Sequence, residues 1–170
     1  MTRSTRKLVK YLLTLSFLTC FAASAMTANN WRQDYRAITD RSPESLLHFL
    51  DETLRQQDYL DNLEDQINIR LEKAKIQRNA GSYDQALTEL TATGGIAKKA
   101  LRSDLQAEII LTQGTVKAEM GLAPDAIDDF HLARKLARAE NNQDLELTAL
   151  NALGVAYLYS GKPERAIEYF

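Results

Sequence analysis

The chain has 170 residues, enough for one domain, with 45% apolar and 26% charged residues. Only 3 Pro and 7 Gly are present, too few for a turn-rich β fold, while the polar positions favour Ala, Leu, Glu, Gln, Arg and Lys, all good helix formers. Without the four cations of residues 1–25, 17 basic and 23 acidic residues remain, a formal charge of −6, which excludes a general phosphate-neutralising nucleic-acid binder.

Residues 1–25 place Arg3, Arg6, Lys7 and Lys10 ahead of an apolar run from Tyr11 to Ala23, then Ala23-Ser24-Ala25. That order matches a secretory signal peptide cleaved after Ala25. The run is too short for a membrane span, which needs roughly 20 residues. Cys20 follows Phe17-Leu18-Thr19, unlike the small residues ahead of a lipidated cysteine, so lipidation is not expected. The mature chain then lacks cysteine, and its stability rests on packing alone. Export without cysteine suits a bacterial periplasm. Membrane contact is expected only through an uncleaved signal or a segment beyond Phe170.

Residues 26–41 form a polar lead with no assigned structure. Over residues 42–59, Ser42-Pro43-Glu44 reads as a helix start, with Ser as cap and Pro in the first turn. Leu46, Leu47, Leu50 and Leu54 then form a helical stripe, expected to cap the repeats that follow.

From residue 60 to residue 170 the chain repeats itself. Gly81, Gly121 and Gly161 recur at a constant interval of forty. Five positions after each comes Ala86, Ala126 or Ala166; four further on comes Leu90, Phe130 or Phe170; seven positions ahead of each glycine stands Ala74, Gly114 or Gly154. The spacing predicts a helical hairpin per copy. The first helix ends at the glycine, which can take the left-handed conformation of a helix end. A short turn follows, and Pro124 or Pro163 opens the second helix. The small columns let the two helices approach closely. In the first copy Gly94-Gly95 is expected to break the second helix, which resumes over residues 96–101 and leaves the packing onto the next copy in doubt.

The last copy, from Asn151 to Phe170, resembles the tetratricopeptide repeat through Leu153, Gly154, Tyr157, Gly161, Ala166 and Phe170. The middle copy keeps Gly114, Gly121, Ala126, Phe130 and Ala133 but has Lys117 where the family favours Tyr. The first keeps Gly81, Tyr83, Ala86 and Leu90. The period exceeds the family's usual value of about 34 and fits longer helices. The resemblance implies an all-α, right-handed solenoid of antiparallel helix pairs. There would be about two and a half copies, the last incomplete, so the chain is expected to continue beyond Phe170.

The resemblance also implies binding of a protein or peptide on the concave surface. The groove residues it implies are Asn68, Leu71, Lys75 and Arg78 in copy one, Glu108, Leu111, Thr115 and Glu119 in copy two, and Asn151, Val155 and Tyr159 in copy three. Only scattered matches to the family's carboxylate-clamping Lys and Asn survive, so no such clamp is expected. Exported repeat regions of this look also occur ahead of a membrane helix and a diguanylate cyclase or histidine kinase domain, which gives a second reading as a sensor region. A third, a small hydrolase, lacks a catalytic constellation.

His48 and His131 are the only histidines and neither has converging partners, so no metal is expected. Glu64-Asp65 and Asp128-Asp129 are adjacent acids pointing about 100° apart on a helix, which reads as solvated surface. Gly94-Gly95 has neither the strand before it nor the Lys-Ser/Thr after it of a phosphate loop. No enzyme activity and no cofactor are expected within these residues.

Overall fold

The computed structural model describes residues 30–56, Tyr59 and residues 61–170. The segment read as an export signal lies outside the described residues. The chain divides into two compact units, Met1–Thr39 and Asp40–Phe170. In the first, a short helix α1 (Trp31–Ala37) occupies part of the polar lead. Its Trp31 and Tyr35 rings are 6.3 Å apart, and the Arg32 guanidinium lies 4.6 Å from the Trp31 ring.

The second unit is built from helices laid down at a fixed interval. They are α2 (Pro43–Arg55), α3 (Leu63–Asn79), α4 (Tyr83–Lys99), α5 (Ser103–Glu119), α6 (Ala123–Ala139), α7 (Gln143–Tyr159) and α8 (Pro163–Ile167). From Pro43 to Pro163 the first residue of each helix follows the first residue of the one before by a constant step of twenty. The five helices α3 to α7 share one length, so the sequence period is two such helices with their turns. The excess over the family's usual period therefore lies in helix length.

The turns explain the regularity. Positive φ recurs at Gly81, Leu101, Gly121, Asn141 and Gly161, at the same constant step. At each, the amide of the following residue closes back five positions: Ser82 to Gln77, Arg102 to Ala97, Leu122 to Lys117, Asn142 to Ala137 and Lys162 to Tyr157, all at 2.8–3.0 Å. This is the Schellman helix end, which satisfies carbonyls that the last turn leaves unpaired. At the other ends, the side chains of Ser42, Asn62 and Asn142 each accept an amide of the first turn.

Within a pair, small residues set the helix separation. A Cβ on Gly114 would lie 2.6 Å from the Phe130 ring, and one on Gly154 would lie 2.6 Å from Phe170. In copy one Ala74 and Leu90 are both fully buried. The core forms two clusters. Ile67, Leu71, Ala74, Leu90 and Ile109 centre the first; Leu111, Phe130, Ala149 and Leu153 centre the second. Among the described residues α3 touches α5 and α5 touches α7, whereas α4 and α6 do not touch, so the first helices line the concave side.

One expectation changes. Gly94-Gly95 does not break the second helix of copy one: α4 runs unbroken to Lys99 and packs on α5. Gly94 faces Ile109 of α5, and tertiary packing outweighs the local helix penalty of two glycines, roughly 1 kcal/mol each. In addition, α2 is more than a covering helix. Its buried Leu46, Leu50 and Thr53 stand one full period ahead of Ala86, Leu90 and Thr93. It fills the place of a second helix from a further pair and packs on α3.

Candidate functional site

The concave side is not uniform along its length. Between α3 and α5 it is charged and internally paired. Lys75 Nζ lies 2.9 Å from Glu108 Oε1, and Arg78 Nε lies 3.7 Å from Glu119 Oε1. Arg78 also donates to Asn79 Oδ1 at 2.9 Å. These partly exposed pairs contribute about 0–1 kcal/mol each, but they occupy the two cations expected to face a ligand.

Leu71 and Leu111 do not face the groove at all. They are 2% and 8% exposed and belong to the two core clusters. α3 and α5 are packed both by their own second helix and by the next first helix, so this column turns inward. Asn68 is half-buried and Asn151 is exposed.

Between α5 and α7 the charged rungs give way to a cavity of about 700 Å³. It brings together four of the expected residues: Thr115, Glu119, Val155 and Tyr159. The Thr115 hydroxyl donates to Leu111 O at 2.9 Å. Tyr159 is 83% exposed. The sequence reading missed the floor, which Ala118, Ala152, Ala156 and Phe130 provide. Ala152 and Ala156 are four apart on α7, a spacing the sequence reading did not single out.

The column where the family favours Tyr shows how each pair closes its flank. In copy three Tyr157 stacks on Tyr169, with centroids 5.3 Å apart, and burial pushes the Tyr157 hydroxyl pKa up. In copy two the equivalent Lys117 Nζ meets Asp129 Oδ2 at 2.7 Å. Asp129 is therefore a partner in an interhelix ion pair rather than solvated surface. In copy one the column holds the buried Gln77, and Glu89, the counterpart of Asp129, instead accepts from Arg70 at 2.6 Å and meets Lys73 at 3.1 Å. Tyr157 is only half-buried against the second core cluster, and Phe170, which packs over Gly154, is 68% exposed.

Among the described residues no group of three or more His, Cys, Asp or Glu side chains could hold a metal. No described helix is long and apolar enough to cross a membrane.

The sequence of residues 105–170 matches the family described as tetratricopeptide repeat. No curated protein matches the chain. Among solved structures, the TPR domain of Arabidopsis FLU is similar at 16% identity and a TM-score of 0.59, over 63% of this chain and 90% of that one. BtubC (BKLC) from P. vanneervenii is similar at 22% identity and a TM-score of 0.60, over 76% of this chain and 55% of that one. Residues 105–170 thus carry tetratricopeptide repeats, and the fold of the chain is that of a tetratricopeptide-type helical solenoid.

Proposed function

We propose that this protein is an exported, non-catalytic scaffold that holds a peptide or protein segment on its concave face, with the cavity between α5 and α7 as the main contact. Tetratricopeptide repeats in general mediate protein–protein interaction. The observation that carries the reading here is the open cavity of about 700 Å³, floored by alanines and Phe130 and rimmed by Val155 and Tyr159. Such a surface suits an apolar anchor side chain of a partner, with the polar Thr115 and Glu119 orienting it. Export rests on the N-terminal sequence, with its cations, apolar run and Ala-x-Ala end.

A photo-crosslinking residue placed at Tyr159 tests the groove in cells. A discrete adduct is expected from that position, none from the exposed position Thr91 of α4, and loss of the Tyr159 adduct when Val155→Glu is added. Equal labelling from both positions would remove the groove assignment. Export is checked by the intact mass of the protein from the periplasmic fraction, expected to begin at Met26.

A further inference from the structure

The outer side of α6 carries a charge pattern that the fold does not require. His131, Arg134, Lys135 and Arg138 stand at i, i+3, i+4 and i+7, share one face and line a cavity of about 190 Å³. No acid sits three or four positions from Arg134, Lys135 or Arg138. Instead Arg134 and Arg138 are four apart and Lys135 and Arg138 three apart, spacings at which like charges are destabilising. Of the four, only Arg138 lies in the last turn, where the helix dipole favours a cation.

The equivalent positions of α4 are Thr91, Gly94, Gly95 and Lys98, so a hairpin of this kind packs with only the last-turn cation. Glu146 of α7 answers part of the charge. Its Oε1 accepts from Arg138 Nε at 2.9 Å and lies 3.6 Å from Arg134 Nε. Lys135 has no ion pair among the described residues. At the His131 end two tyrosines close the face: Tyr157 Oη lies 3.4 Å from His131 Nε2, and the Tyr169 ring meets the imidazole edge-on at 5.9 Å.

The geometry points to an oxyanion-binding face on α6, occupied by the side-chain carboxylates of an acidic segment of a partner protein. Glu146 takes the Nε and Nη2 of Arg138, which leaves its Nη1 and the exposed Lys135 ammonium to meet a carboxylate in a charge-assisted pair. Positions 131 to 138 span about 10 Å along the helix, room for more than one small anion and suited to carboxylates spaced along a peptide. This face lies apart from the concave groove and does not depend on it.

The test is an amide-shift NMR titration of the full chain with a hexaglutamate peptide. Saturable shifts confined to α6 and the start of α7 are expected. At least a tenfold loss of affinity is expected in Lys135→Glu/Arg138→Glu, and none in Val155→Glu. Lys135 and Arg138 are both exposed; circular dichroism verifies the fold, and Lys135→Gln/Arg138→Gln substitutes if charge reversal disturbs it. Absence of shifts on α6, or unchanged binding in the double variant, overturns the assignment. Inorganic phosphate or a short oligothymidylate binding as tightly as hexaglutamate overturns the carboxylate reading in favour of a small-anion or nucleic-acid site.

Discussion

Leu101 occupies a place in the turn series where its four counterparts are Gly or Asn. Its φ is 54° and its side chain is 86% exposed, so it carries the left-handed penalty with little packing in return. Leu101→Asn is expected to raise stability by about 1 kcal/mol, read as a higher denaturation midpoint with unchanged slope. A residue-level test of the α6–α7 contact comes from pH. The hydrogen bond from Arg138 holds the Glu146 carboxyl below its usual range. A carboxyl with a depressed folded-state pKa stabilises the fold at neutral pH, and that contribution is lost as pH falls through the folded value. In Arg138→Gln the Glu146 carboxyl is expected to titrate at higher pH by NMR. The melting temperatures of variant and parent should then converge in acid, whereas a constant gap from neutral pH into acid would count against this coupling.

At the level of helices, glycines that look alike in the sequence do different things. Gly95 sits inside α4 with nothing within 4 Å of the place a Cβ would take, so Gly95→Ala should stabilise by about 0.5–1 kcal/mol. Gly114 faces the buried Phe130 ring at 2.6 Å, and Gly114→Ala should destabilise by about 1–3 kcal/mol despite the better helix propensity. Chemical denaturation of both variants checks the contrast. The turn glycines and the small columns were legible in the sequence because only a few residue types satisfy a left-handed turn or a close helix approach. The direction of Leu71 and Leu111 was not. α5 buries Leu105, Ala107, Ile109, Leu111, Thr112, Gly114 and Val116, residues spread around the helix, so no single stripe marks which side faces the groove. Ion pairing of Lys75 and Arg78 was also hidden, since Glu108 and Glu119 lie on a different helix, beyond the whole of α4. The register of α2 was visible but masked, because bulky Leu46 replaces the alanine of its column.

Across the whole chain, each helix pair is held mainly by its neighbours, so stability is a sum of local terms. α5 and α6 have pairs on both sides, while α8 is short and Ile167 is 76% exposed. Amide exchange is expected to be slowest in α5 and α6 and faster toward α8; uniform protection would mean a single cooperative block instead. The strict helix interval has a consequence for how such a chain can change over time. Excising residues 83–122, or duplicating them, joins Ser82 to Ala123 or Leu122 to Tyr83 and leaves every later helix in phase. Recombination between copies can therefore lengthen or shorten the molecule one helix pair at a time without a new kind of junction, so its reach is adjustable independently of its sequence.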